Sequence, residues 1–121
     1  MAASVNKVIL VGNVGKDPEI RYVATEVPVA TFPLATSTRE HKTSDGREVE
    51  EHTEWHNIVA WRGLAKVAEK FVSKGTHVYI EGKLQTRNWS DQQGVVHYIT
   101  EIVADELEVL GNRKSSNQDQ Q

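Results

Sequence analysis

The hydrophobic pattern of this chain changes period once, within residues 53–74, TEWHNIVAWRGLAKVAEKFVSK. The first half alternates at period two. It sets Trp55, Asn57, Val59 and Trp61 on one face of a strand and His56, Ile58 and Ala60 on the other. Ile58 and Ala60 can supply a buried face, which leaves two indoles directed away from it. From Gly63 to Lys74, Leu64, Val67, Ala68, Phe71 and Val72 recur at three- and four-residue spacing, the stripe of an amphipathic helix. Lys74 is expected to close the last turn, where a cation suits the dipole, and Gly75 to supply the left-handed residue that stops the helix.

On both sides of this segment the period stays at two. Residues 4–11 read as a first strand with Val8 and Leu10 on one face and Val5, Ile9 and Val11 on the other. Apolar residues on both faces imply a second cover besides the core, such as another subunit. GNVGKDP, with two glycines and a proline, reads as a turn. Its Gly12-x-x-Gly15 spacing also occurs in backbone-clamping nucleic-acid loops, but those join helices, and here a strand comes first. Residues 28–38 form a second strand with Ala30, Phe32 and Leu34 toward the core. Pro33 cannot donate to a ladder and marks an edge, a bulge or a point where strands diverge. Residues 39–52 read as a polar ribbon around the hairpin turn Ser44-Asp45-Gly46.

After the helix, residues 77–89 alternate Val78, Ile80, Gly82 and Leu84 against Tyr79, Glu81, Lys83 and Gln85, so Lys83, Arg87 and Trp89 share a face. Residues 90–94 turn the chain into a partner strand over 95–103, and 107–110 add a last short strand. One helix between the third and fourth strands of an otherwise all-strand chain predicts an all-β fold. Its architecture is a five-stranded Greek-key barrel of the oligonucleotide/oligosaccharide-binding (OB) type. The domain is expected over 1–111, with a short polar, disordered tail over 112–121.

At 121 residues the chain has room for one core. It has no cysteine, hence no disulfide framework or thiolate metal site, and no run of transmembrane length. His52 and His56 would stand about 13 Å apart on a strand, so no metal site is read, and no cofactor is expected. A net charge of −3 argues against a uniformly basic nucleic-acid footprint, so distribution decides. Acidic residues gather at Glu48, Glu50, Glu51 and Glu54 and at Glu101, Asp105, Glu106 and Glu108, which the reading sets apart from the tryptophan face. Trp61 adjoins Arg62, and Trp89 lies two residues from Arg87. Such pairs suit bases stacking on rings, at about 1–3 kcal/mol each, while cations follow the phosphates. Ordinary core or subunit-interface tryptophans would give the same local sequence.

The blocks VNKVILVGNVGKDPEIRY, TEWHNIVAW, KGTHVYIEGKLQTRNWSDQQG and YITEIVADELEVLG resemble the bacterial-type single-stranded DNA-binding proteins, over residues 4–111. The resemblance implies an OB barrel, a homotetramer and sequence-tolerant binding and protection of single-stranded DNA in replication, recombination and repair. It implies no enzymatic activity, no membrane association and a cytoplasmic, nucleoid-associated location. Trp55 and Trp89 match stacking positions, and Trp61 matches one often held by phenylalanine. Lys7, Arg21, Arg62, Lys74 and Arg87 match basic positions near the DNA path, and Lys83 joins them by its face. His56 and Tyr79 match subunit contacts; with Val5, Lys7 and Ile9 of the double-faced first strand they make the expected interface. STREHKTS lacks the further tryptophan many relatives carry, with Glu40 or His41 in that region. GNRKSSNQDQQ lacks the linker and acidic tip through which relatives dock repair and replication partners, so such docking is not expected. A shortened chain, a plasmid- or phage-encoded variant and a natural short form all remain open. Three residues before VNKV leave no transit peptide, which favours a bacterial-type origin. The alternatives are a protein-interaction barrel that binds no nucleic acid and, more remotely, an OB-fold nuclease.

Overall fold

A computed structural model describes residues 3–39 and 41–112. The elements are β1 (Val8–Val14), β2 (Glu19–Val23), β3 (Val27–Thr38), β4 (His41–Lys42), β5 (Glu48–Val49), β6 (His52–Trp61), α1 (Gly63–Phe71), β7 (Thr76–Ser90) and β8 (Val96–Asn112). Five strands pair in the order β1-β7-β8-β6-β3, and β1 pairs again with β3, which closes the ring. Neighbours are antiparallel except β6 and β8, which meet in parallel at Ile58–Ile102 and Val59–Val103. The helix lies between the third and fourth strands of the ring, as the period change predicts, and the fold is the expected OB barrel.

The core is drawn from the inward positions of every ring strand. Ala30, Phe32 and Leu34 of β3, Ile58 and Ala60 of β6, Val78 and Ile80 of β7, and Ile102, Ala104 and Leu107 of β8 are buried together. Ala65 and Ala68 of α1, with Val72 just beyond it, join the same core. Each large aliphatic or aromatic side chain removed from water here contributes about 1.5–3 kcal/mol.

Several boundaries differ from expectation. β1 begins at Val8 and runs on through Gly12–Val14, where a turn was expected. A Cβ on Gly12 would collide with the Ala35 carbonyl oxygen. Gly12 therefore serves the close approach of β1 to β3, and the chain turns only after Val14. β2, a strand the pattern did not reveal, adds to the outside of β3. β2 pairs with β3 as far as Thr31, and β1 takes over at Leu34. Pro33 falls in the gap, at the divergence its missing N–H allows, and its carbonyl accepts the Gly15 N–H at 2.9 Å.

The helix stops at Phe71, where an end at Lys74 was expected, and Phe71 is exposed although it was assigned to the apolar stripe. Val72 is extended, and Lys70 is the cation of the last turn. Ser73 and Thr76 then hydrogen-bond each other in a tight turn that contains Gly75, with φ 92°. The two final strands expected at 95–103 and 107–110 are one. Across β8, Glu106 and Ala104 pair with consecutive residues of β7, as do Gly111 and Val109, so Asp105 and Leu110 bulge. The Asp105 bulge reverses parity, carrying the inward position from Ile102 and Ala104 to Leu107. Gly111 and Asn112 pair with His77 and Thr76. The expected strand end and tail therefore begin too early, and residues 113–121 of the tail lie outside the described residues. The ribbon turn at Ser44–Gly46 stands as expected: the Thr43 N–H meets the Arg47 carbonyl at 2.8 Å, and Gly46 has φ 89°. Glu40 lies outside the described residues. Among the described residues, no helix is long and apolar enough to cross a membrane.

Gly12→Ala is expected to cost about 1–3 kcal/mol or more, because backbone must move to admit the methyl. Gly63→Ala meets nothing within 4 Å and starts a helix, so it should hold or raise stability, by at most about 1 kcal/mol. Urea unfolding of the two variants measures the contrast; equal midpoints would remove Gly12 from the closure.

Candidate nucleic-acid interface

Register across the barrel puts the outward residues of five strands on one continuous face. On β3, Val29, Thr31, Pro33 and Ala35 stand opposite Trp61, Val59, Asn57 and Trp55 of β6, while Arg21 of β2 stands opposite Val29. Val59 in turn meets Val103 of β8. Along β7, Lys83, Gln85, Arg87 and Trp89 pair with Val103, Glu101, Ile99 and His97. The three indoles on this face are 61% (Trp55), 43% (Trp61) and 49% (Trp89) exposed, which excludes them from this chain's core.

Between the indoles the face is hollowed into two adjoining depressions of about 280 and 250 Å³. Arg21, Thr31, Val59, Arg87 and Glu101 line both and form the saddle between them. The first extends to Lys16, Asp17 and Asn57, the second to Trp61 and Gln85. Trp55 lies over Gly15, where a Cβ would collide with its ring. Trp89 is stacked on His97 with centroids 4.4 Å apart and planes 22° apart. His97 Nε2 is 2.8 Å from Asp91 Oδ2, and the Asp91 carboxylate also accepts the N–H groups of Gln93 and Val95 at the hairpin tip. The His97 contact first, and these backbone donors after it, hold the Asp91 carboxyl below its ordinary value.

The remaining sequence-predicted residues divide. Lys74 donates its backbone N–H to Asp17 Oδ1 at 2.8 Å, so it stands beside the loop that carries Lys16. Arg62 has φ 56° and donates its N–H to the Pro28 carbonyl at 2.9 Å. That backbone conformation costs a non-glycine residue about 1–3 kcal/mol, beside Trp61 at the helix start. Lys7 does not line the depressions. Its Nζ is 3.2 Å from Glu81 on the β1–β7 face, with Ile9 and Val11 exposed beside it. The Tyr79 hydroxyl donates to Glu81 at 2.7 Å, which pushes its pKa up to about 12. The same hydroxyl, and then Lys7, hold the Glu81 carboxyl below its ordinary value. Val5 is exposed ahead of β1. His56 is set apart from these, half-buried on the inward parity of β6 with its Nε2 2.9 Å from Thr36 Oγ1.

One expectation fails in detail. The acidic residues were read as lying away from the tryptophan face, yet Glu101, Asp17 and Glu19 line its depressions. Glu101 precedes the Asp105 bulge and so shares the outward parity of β8, where Arg87 reaches it across the pair. Lys16 and His97 were also missed as parts of this face: His97 is placed there by its pairing with Trp89, and Lys16 by the loop between β1 and β2. Among the described residues, no three His, Asp or Glu side chains gather as metal ligands would.

An OB barrel bearing aromatic and cationic residues along one outer groove is the class of protein that fold and face define. The model of the single-strand binding protein family matches residues 5–110, and the chain belongs to that family. It is 54% identical over 107 residues to a single-stranded DNA-binding protein of Bacteroides thetaiotaomicron, covering 88% of this chain and 66% of that one. It is 44% identical over 115 residues to single-stranded DNA-binding protein 1 of Xylella fastidiosa, covering 95% and 84%. A solved structure described as the Plasmodium falciparum SSB complex with ssDNA superposes with a TM-score of 0.81 at 33% identity. That match covers 92% of this chain and 99% of the other.

The Asp91–His97 contact has a definite pH dependence. A carboxyl depressed in the folded state stabilises it above the ordinary value of 3.8 and ceases to do so as the pH falls through the lowered value. Asp91→Asn should therefore unfold at lower urea than the unaltered protein at neutral pH and coincide with it in strong acid. A gap that persisted in strong acid would trace the effect to something other than the carboxylate.

Proposed function

We propose that this chain binds and protects single-stranded DNA without sequence specificity during replication, recombination and repair, acting as a homotetramer. The observation that carries the reading is the alignment of Trp55, Trp61 and Trp89, all partly exposed, on the outer face that also bears Arg21 and Arg87. Every base has a π-face, so rings spaced along a groove hold a single strand whatever its sequence. Cations beside the rings meet the phosphates, and local contacts rather than net charge govern counterion release, so an acidic chain can still bind. Trp55, Trp61 and Trp89 are the stacking residues of this proposal. Arg21 and Arg87 are its groove cations, with Lys74, Arg62 and Lys83 at its margins. Lys7, unlike these, is assigned to the assembly surface. Family membership and the relatives' printed names support the same reading, and a binding role without catalysis accords with both. The proposed place of action is the cytoplasm, at the nucleoid.

Trp55→Ala and Trp89→Ala are each expected to weaken oligo-dT binding by about 1–3 kcal/mol, and Trp61→Phe to leave it nearly unchanged. Quenching of tryptophan fluorescence during titration reads all three. Unquenched emission and no binding by the unaltered protein would favour a protein-interaction barrel.

The tetramer rests on uncovered apolar area: Ile9 and Val11 are exposed on the face that carries Tyr79 and the Lys7–Glu81 pair, with Val5 and His56 as further proposed contacts. Light scattering should give four times the chain mass, with Ile9→Glu and His56→Lys shifted toward smaller species. A monomer at tens of micromolar, or unchanged mass in both variants, would assign this surface elsewhere.

A further inference from the structure

The saddle between the two depressions contains an ion pair. Arg87 donates from Nε to Glu101 Oε1 at 2.9 Å and from Nη2 to Oε2 at 3.2 Å. Its members differ in access: the Glu101 side chain is 11% exposed, that of Arg87 52%. A guanidinium carries five N–H donors in a planar fork. Glu101 engages two of them from beneath and leaves the others to the open groove. The bidentate contact fixes the orientation of the fork, and the carboxylate cancels its charge.

We propose that Glu101 is a positioning residue that competes with the incoming phosphate for Arg87 and so sets the strength and salt sensitivity of the groove's hold on a single strand. The inference rests on the single-strand reading above and concerns how that site is regulated. With Glu101 ionised, the pair presents almost no net charge, so a phosphate at Arg87 displaces little counterion. The strand gains an oriented hydrogen-bond donor there without a strong Coulombic anchor. A sequence-tolerant binder that must also release its strand is served by such a moderated contact. The buried position of Glu101 matters, because a carboxylate free in water would be screened and would moderate nothing.

The test uses Glu101→Gln, which keeps an oxygen able to accept from Arg87 Nε and removes the charge. Affinity for oligo-dT is measured across a series of salt concentrations, alongside Arg87→Gln and the double variant, with urea unfolding to establish that each is folded. Glu101→Gln should bind roughly three- to tenfold tighter at fixed salt. Its log–log salt slope should steepen by about 0.7, the signature of one more neutralised phosphate on a single strand. In the Arg87→Gln background the same change should steepen nothing. That slope is a quantity a merely structural role would not move. Unchanged affinity and slope in Glu101→Gln, while the unaltered protein binds, would overturn the inference and leave the single-strand reading intact. An equal gain in both backgrounds would overturn it too, since Glu101 would then act by charge alone. If the unaltered protein fails to bind oligo-dT, the reading beneath the inference fails instead. Should Glu101→Gln not fold, comparison of the double variant with Arg87→Gln decides, because the inference then requires parallel salt slopes.

Discussion

The close approach of β1 to β3 at Gly12 and Ala35 is the constraint on which the other features depend. A barrel of five strands closes only if its first strand can leave β7 and reach β3. The two backbones then come so near that no side chain fits between them. Closure defines an inside, and the inside decides which parity of every strand is apolar. Once Val14, Leu34, Ile58, Ile80 and Ile102 are committed to it, the opposite residues have no choice but the outer surface. The proposed binding face is thus a by-product of the core's register. Trp55 and Trp61 face outward because Ile58 and Ala60 face in.

The outer surface is itself divided. On the side of β2, β3, β6, β8 and the distal half of β7, three exposed tryptophans share the surface with a groove lined by Arg21 and Arg87. Around β1 and the proximal half of β7, the surface is apolar with a compact Lys7–Glu81–Tyr79 network. The single strand β7 serves both, since its odd residues run from Tyr79 and Glu81 through Lys83 to Arg87 and Trp89. Assembly and ligand binding, as proposed, would share one continuous strand without sharing residues.

Electrostatics in the groove is local. The chain carries a net charge of −3, and its groove contains acidic residues beside the arginines. Charges paired in this way do not broadcast a field over the surface, and what remains for a polyanion is set by which cations are free to turn toward it. Stacking on indoles needs no net charge, which is why an acidic chain can carry this face.

Much of this was legible in the residues. Periodicity located the helix, the five ring strands in whole or in part and the inward sets Ala30-Phe32-Leu34 and Ile58-Ala60, while turn residues such as Ser44-Asp45-Gly46 located the ribbon, because alternation and turn chemistry are both local properties. The family, too, was legible in long ordered blocks. What the sequence could not show was non-local. Gly12 looks like a turn until the strand it must pass is present, and β2 is too short and polar to announce itself apart from the edge of β3 it covers. β8 looks like two strands because a bulge reverses parity, and a bulge is defined only against a partner. Glu101 reads as one of several acids on a late strand until register sets it opposite Gln85, within diagonal reach of Arg87. Which residues are apolar, aromatic or charged, and the faces they take along an unbroken strand, follow from the chain's local pattern. Which faces meet follows from the folded barrel alone, because pairing register and closure join residues far apart in the chain, and no local pattern encodes them.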